Sequence, residues 1–510
     1  MPKFLDRFLN YIRSNKFYRL ILAVFILESL WIAVSAAYPQ AFDENFHFGL
    51  IQVYSHFLLP FFSHQPPHAD AYGAVARDPS YLYHYLMSFP YRLIELFTKH
   101  QLAQIIILRF LNIALFAWGI VLFRKVLLRV GTSKALSNLI LMLFILIPIV
   151  PQLAAQINYD NLLMPLTALM ILFSFKLIDE IRAHCASLSN IFFFIGLGCL
   201  TSLVKYAFLP IFAALILFLL VLTYRVNRHK IGNFFKELGA SFASRRKQIM
   251  VLSVIALVVP LFMFAQRDLV NLIDYHSIEP DCSKVLSVKQ CLAYSPWAYN
   301  YYNHNKILAK GESVGLARTL AYPFQWLYWM WYRLFFAVNG PNSSFVNYPP
   351  LPLPSAATLI LLIIGAIALV KWWRRLFKGN LKLLLLSLVA LAYLIALIGQ
   401  GFYTYRYTMV LENMNGRYLL PVLLLMAAIF GQAINLALAK VGRRKVILAF
   451  VSLLFFLEGG GVLTFIARSD PSWYVNNKTV VKVNAEAKKV IKKVVVRGKS
   501  SYATKLWFFN

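Results

Sequence analysis

Charged residues are scarce in this chain, and acidic ones scarcer still: of 510 residues 14% are charged, with 20 Asp and Glu against 51 Lys and Arg. With 60% apolar residues and a mean hydropathy of +0.63, most of the surface cannot face water. That excludes a soluble globular protein and leaves a multi-pass integral membrane protein. The surplus charge of +31 does not point to nucleic acid as a partner, because Lys and Arg cluster in short runs between apolar segments, as cytoplasmic loops do. Cysteine is also scarce, at four residues. Cys185 and Cys199 fall in a short polar loop and an apolar segment and read as free thiols. Cys282 and Cys291 share a long polar loop; they form a disulfide if that loop faces an oxidising compartment and stay as two thiols if it faces a reducing one. No cleavable signal peptide is expected, since the apolar segment 18–38 is long enough to span and no small-residue cleavage site follows it. A soluble domain, a tandem repeat and a low-complexity tract are missing as well.

What is present is a series of apolar segments. Lys3, Arg7, Arg13, Lys16 and Arg19 hold the N-terminus on the cytoplasmic side, which puts everything just beyond residue 38 outside. Spans are expected at 18–38, 102–123, 134–151, 160–178, 190–204, 207–224, 248–266, 354–370, 382–400, 417–438 and 446–466, about eleven in all. The expected fold is therefore an all-α integral membrane protein, with a polytopic unit over 1–466 and a basic tail, 467–510, outside. Its outer loops are 39–100 and 267–352, and the first holds two interfacial helices, one beginning at Asp43 and one over 81–97. The stretch 191–224 is too long for one helix and too short for two full spans. Two short helices meeting at Lys205-Tyr206 satisfy both facts, and irregular backbone there requires a polar cavity beside it.

The candidate chemistry begins at Phe42-Asp43-Glu44-Asn45-Phe46-His47-Phe48-Gly49, where the first span leaves the bilayer. On a helix His47 follows the two acids by one turn and faces them, while Asn45, Gly49, Gln52 and His56 form a polar stripe opposite Phe46, Leu50, Val53 and Phe57. Ionisable groups near membrane depth point to function. Arg109, Asp160, Lys205, Arg406 and Arg417 are all expected near the same outer face as Asp43 and Glu44. Cations and carboxylates gathered in this way suit a cavity that holds a phosphorylated lipid headgroup and activates an acceptor. The bland alternatives are Asp43 and Asp160 as helix N-caps, and Arg109, Lys205 and Arg417 as interfacial anchors. His64, His68 and His84 offer no metal-ligand spacing, because prolines separate the first two. Glu28 and Glu458, deep in the first and last spans, read as packed carboxyls before a proton path.

At these residues a likeness becomes usable. Asp43-Glu44 with His47-Phe48 resembles the first outer loop of the GT-C glycosyltransferase superfamily, which includes protein O-mannosyltransferases and the lipid A aminoarabinose transferase. The likeness is greatest to a group of multi-pass membrane proteins with an Asp-Glu-x-x-His-Phe signature. Asp78-Pro79-Ser80-Tyr81-Leu82-Tyr83-His84-Tyr85 is similar to the His-Pro-Pro-Leu-Tyr-Tyr stretch of such proteins, with Ser80 in place of the second proline. Asn158-Tyr159-Asp160-Asn161, Leu203-Val204-Lys205-Tyr206 and Gly416-Arg417-Tyr418-Leu419-Leu420-Pro421 resemble later landmarks, so the likeness spans 18–438.

The resemblance implies an inverting transfer of a sugar from a polyprenyl phosphate donor at the outer face of a membrane, expected here to be a bacterial plasma membrane. Asp43 maps to the base or acceptor-binding acid, with Glu44 in support. His47, Tyr83, His84, Asp160, Lys205, Tyr206 and Arg417 fall in the matching stretches and are expected to bind substrate, and Arg109 and Arg406 join them from their place near the outer face. No cofactor is expected; a divalent metal at His47, Asp43 and Glu44 is the less favoured alternative. Protein O-mannosyltransferases have one residue between the acid pair and the His, whereas Asn45 and Phe46 intervene here. The acceptor, whether glycan, lipid or protein, therefore does not carry over. Two other classes compete: a transporter of a polyprenyl-linked glycan, which calls for related halves and for charges deep within several spans, of which the chain has Glu28 and Glu458 alone, and a non-catalytic membrane protein of envelope assembly.

Overall fold

The computed structural model describes residues 2–229, 231–243, 246–336, 338, 340–341, 352–411, 414–438 and 460–494. Every regular element among them is a helix. Helix α1 (Pro2–Arg13) leads into α2 (Asn15–Ser35), and the loop beyond α2 carries α3 (Glu44–Ser55) and α4 (Leu82–Phe97). Helix α5 (Gln101–Arg129) is followed by α6 (Lys134–Ile145), the short α7 (Ile149–Ala154) and α8 (Asp160–Arg182). Helices α9 (Leu188–Val204) and α10 (Leu209–Asn227) form a hairpin, and α11 (Ile231–Ala243) connects it to α12 (Lys247–Phe264). A π-helical turn, Ala265–Leu269, continues α12 into α13 (Val270–Tyr275). The second long loop contains α14 (Cys282–Val285), α15 (Val288–Cys291), α16 (Ser295–Lys310) and α17 (Leu316–Phe335). Helices α18 (Pro352–Phe377), α19 (Leu381–Thr408) and α20 (Leu420–Ala437) precede a short helix, Val462–Arg468, and a terminal helix, Lys478–Val494.

Among the described residues seven helical segments are long and apolar enough to cross a bilayer: Asn15–Ser35, Gln101–Arg129, Asp160–Arg182, Tyr206–Asn227, Lys247–Tyr275, Leu381–Thr408 and Gly416–Ala437. Lys134–Ile145 and Leu188–Val204 are apolar but shorter. The segment expected as one span at 134–151 is broken, because Pro148 lacks an N–H and biases the residue before it away from helix. Of the span expected at 446–466, residues 446–459 lie outside the described residues, and Val462–Arg468 is helical. The two helices expected in the first loop are present as α3 and α4, and the hairpin turns at Lys205 as its length required.

Cross-chain hydrogen bonds define the two ends of the bundle. At one end Arg124 donates to Asn15, Asn138 to the Ile12 carbonyl, and Asn380 and Gln432 to the Val130 carbonyl. At the other end the first loop meets α5, α7, the hairpin tip and the turn before α20. The tail belongs to this second end: Val475 N–H donates to the Ser35 carbonyl and Ala37 N–H to the Trp473 carbonyl, at 2.9 and 2.8 Å. Cys282 and Cys291 are joined by a disulfide, which selects the first of the two alternatives for that pair.

Where lipid is as apolar as the side chains, helices associate through close packing, and small residues let backbones approach. Gly196 on α9 does this against α12: a Cβ there would lie 1.7 Å from the Ala256 carbonyl oxygen. Gly416 does it beneath α17, where a Cβ would lie 2.4 Å from Leu334 Cα, and so fixes the position of Arg417. We expect Gly196→Ala to destabilise the α9–α12 pair by about 1–3 kcal/mol, the usual cost of overpacking. A thermal melt of the purified variant in detergent checks this, and an unchanged melting temperature contradicts it.

Candidate functional site

The site is built on a buried ion pair. Arg109 Nε and Nη2 donate to Glu44 Oε1 and Oε2 at 2.8 and 2.7 Å, and both side chains are 0% exposed. Its remaining donors go to the carbonyls of Ala33, Ala36 and Ala37 at the end of α2. Glu44 also accepts from Gln40 N–H at 2.7 Å and Ile157 N–H at 3.2 Å. All five guanidinium N–H groups are thus used, and each carboxylate oxygen accepts twice. Glu44, expected to support chemistry, and Arg109, expected to bind substrate, instead bolt the first loop to α2, α5 and the segment after α7.

Asp43 points the other way. Phe42 and Asp43 both adopt left-handed backbone, at φ 62° and 66°, a conformation that costs a non-glycine residue about 1–3 kcal/mol and persists only where surroundings enforce it. Enforcement comes through the Phe42 carbonyl, which accepts from Asn158 Nδ2 at 3.0 Å and Arg417 Nη1 at 2.8 Å. Asp43 does not cap α3 with its side chain; its Oδ2 accepts from Arg417 Nη2 at 2.7 Å while the side chain stays 51% exposed. The acid is held and accessible at once.

Beside this pair lies a second one. Lys205, at the hairpin tip, donates to Asp160 Oδ1 at 2.7 Å, and its ammonium stands 4.4 Å from the Tyr159 ring and 4.9 Å from that of Tyr418. The charges of Arg417 and Asp43 both act on Lys205. Asp160 Oδ2 and Arg417 Nε are buried and have no hydrogen-bond partner among the described residues. Asp160 opens α8 without using its side chain as a cap, since its own N–H goes to Asn158 Oδ1. The hairpin tip is tied to the first loop by Tyr206 N–H donating to Ser80 Oγ at 3.1 Å. A proline at Ser80 has no such acceptor.

His47 turns away from the acids: its Nδ1 lies 2.9 Å from His84 Nε2, the two rings stacked and both buried. Tyr83 is fully buried and donates to Asn112 Oδ1 at 2.8 Å; the same oxygen accepts from Asn161 Nδ2 at 2.9 Å. Tyr83 therefore belongs to an amide network behind the site. Arg406 is exposed on the last turn of α19 and has no ion pair or hydrogen bond among the described residues. The expected polar stripe of α3 is altered. Asn45 and His56 are exposed, but Gly49 is covered by Tyr72 and Gln52 hydrogen-bonds the Tyr91 hydroxyl at 3.3 Å.

Two residues from the second loop lie beside the site and carried no sequence signal. Tyr294 packs on Phe46 with ring centroids 5.9 Å apart and lies within reach of the Asp43 charge. Glu279 lies against the Tyr206 hydroxyl. It keeps an exposed surface, and the surrounding protein pushes its carboxyl above the usual range, which the Tyr206 hydroxyl partly offsets. Among the described residues no group of three or more His, Cys, Asp or Glu has the geometry to hold a metal ion. Comparison with family models, with curated proteins and with solved structures returned no match.

Two predictions follow from the buried groups. Truncating Arg109 to Ala leaves Glu44 buried and unpaired, so we expect a loss of about 3–5 kcal/mol of stability, with partial recovery in the Arg109→Leu/Glu44→Leu pair. Detergent melts check both, and an Arg109→Ala variant as stable as the parent contradicts the assignment. The second concerns pH. Burial holds the His84 imidazole down to about 3 and that of His47 well below its ordinary 6.5, the latter aided by His84, Arg417 and Lys205. The unfolded chain binds these protons near pH 6.5 and the folded one does not, so stability is complete above that pH and falls as pH drops toward 3. Each histidine contributes a slope of about 1.4 kcal/mol per pH unit within that window. Melting temperatures recorded from about pH 7.5 to about pH 5 should fall, and fall less in His47→Asn/His84→Asn.

Proposed function

We propose that the protein is a glycosyltransferase of the GT-C type, which moves a sugar with inversion from a polyprenyl phosphate donor to an acceptor at the outer face of the membrane. One observation carries this reading: the half-exposed Asp43 carboxylate sits 2.7 Å from Arg417, and the charges of both reach the Lys205 ammonium. The orientation that goes with it has eleven spans, the N-terminus in the cytoplasm and the tail outside, in a bacterial plasma membrane. Two facts support that orientation. Arg124, Lys125 and Arg129 lie at the bundle end opposite Asp43. The disulfide-bonded loop, whose Tyr294 packs on Phe46, lies at Asp43's own end.

In the resting protein Arg417 holds Asp43. The donor phosphodiester, a monoanion, competes for that guanidinium and for the Lys205 ammonium, and both cations bind it harder as it gains its second negative charge on leaving. Asp43, released, accepts the proton of the acceptor hydroxyl. The acceptor oxygen forms a bond to C1 of the sugar as the bond from C1 to the phosphate oxygen breaks, and its electron pair leaves with the lipid phosphate. Asp160 keeps Lys205 in place, and the steps as written call for no cofactor.

The test is a panel of polyprenyl phosphate sugars incubated with purified protein, read as released lipid phosphate. Asp43→Asn should lower the rate by about 10²–10⁴-fold, the usual share of a general base, with an unchanged melting temperature. Glu44→Gln should act on melting temperature first. Undiminished release by Asp43→Asn removes that residue from the chemistry.

A further inference from the structure

The basic tail is absorbed neither by the site nor by the charge rule, which does not favour lysines on the outer side. The terminal helix carries Lys478, Lys482, Lys488, Lys489, Lys492 and Lys493 against Glu486 alone. Its position is set by two attachments to α2. The preceding segment pairs with the end of α2 through Ser35 and Ala37. One turn before that end, about 6 Å deeper along the helix axis, Trp31 Nε1 donates to Asn484 Oδ1 at 3.0 Å. Trp31 is 37% exposed on a membrane-crossing helix, and tryptophan in that situation marks the headgroup layer. The middle of the terminal helix is therefore pinned at headgroup depth, along the flank of the first span.

The face opposite Asn484 has the chemistry of that layer. Asn484 and Ile491 are buried against the protein, whereas Val483 and Val490 are 44% and 61% exposed. Lys478, Lys482 and Lys489 are exposed with them. Lys489 pairs with Glu486 at 2.7 Å and Lys488 is engaged with the Ser469 carbonyl. Uncovered valines flanked by lysines bind an interface that is apolar below and negative above.

We propose that this helix is a bilayer-contacting strut: its free face binds the headgroups of anionic phospholipid and fixes the outer end of the first span, and with it the loop that carries Asp43, against the membrane surface. The inference is independent of any transfer chemistry. The partner is the anionic lipid surface, and an acidic polypeptide or a purely intramolecular contact are the alternatives that the test separates.

Val490→Cys in a Cys185→Ser background gives one reactive thiol, since Cys199 is buried and Cys282 is bonded to Cys291. Labelled with an environment-sensitive fluorophore, it is placed in nanodiscs of phosphatidylcholine with or without phosphatidylglycerol. Collisional quenching by neutral acrylamide should be roughly two-fold lower with the anionic lipid, and high salt should remove the difference because surface charge is screened. Lys478→Gln/Lys482→Gln should remove it too, each lysine weakening the attraction roughly five-fold. Equal quenching in both lipid compositions overturns the proposal. So does equal protection in lipid-free detergent, which assigns the face to protein contact, or protection in phosphatidylcholine only when polyglutamate is added.

Discussion

The geometry of the candidate site depends on the ion pair between Arg109 and Glu44. Burying one charge at membrane depth is costly, and burying two is tolerable only when every donor and acceptor is matched. Here the match is complete: five guanidinium N–H groups meet three carbonyls and a carboxylate, and the carboxylate takes two backbone N–H groups besides. Because those carbonyls end α2 and those N–H groups belong to the next loop and the segment after α7, one side chain sets the angle at which the chain leaves the first span. The left-handed residues Phe42 and Asp43 lie inside that frame.

The consequence is that two neighbouring acids do opposite work. Glu44, one methylene longer and on the first turn of α3, reaches inward and is sealed. Asp43, shorter and on left-handed backbone, is carried outward to Arg417 with half its side chain in solvent. Behind them Tyr83 and Asn161 Nδ2 both donate to Asn112 Oδ1 and tie α4, α5 and α8 together; in front, Arg417 Nε and Asp160 Oδ2 are buried without a hydrogen-bond partner among the described residues, beside the exposed carboxylate of Asp43.

Much of this arrangement was legible in the sequence because charge in an apolar chain is conspicuous. Asp43, Asp160, Lys205 and Arg417 stood out as isolated ionisable residues near span ends, and the structure brings all four together. The turn at Lys205 followed from length alone. What sequence could not give was direction. Either of two adjacent carboxylates can face in, and only the position of Arg109, 65 residues away, makes Glu44 the inward one. His47 was read as facing the acids from helical spacing, but its ring goes to His84 on another helix. Glu279 and Tyr294 sit in a polar aromatic loop where nothing distinguishes them from their neighbours. The break between α6 and α7 was written in Pro148, yet the apolar residues around it masked the stop.

The pairing of Asp43 with Arg417 joins residues 374 positions apart, and that of Trp31 with Asn484 joins residues 453 apart. Membrane chains are made and inserted from the N-terminus onward, so the acid is in place long before its guanidinium exists, and the helix that stitches down the first span follows later still. Glu44 meets Arg109 after 65 residues, Asp160 meets Lys205 after 45, and Asp43 waits for a residue 374 positions on. Maturation of the recess is thus a late event in biogenesis. A chain cut short before residue 417 inserts a well-anchored entrance loop with its exposed carboxylate still unmated.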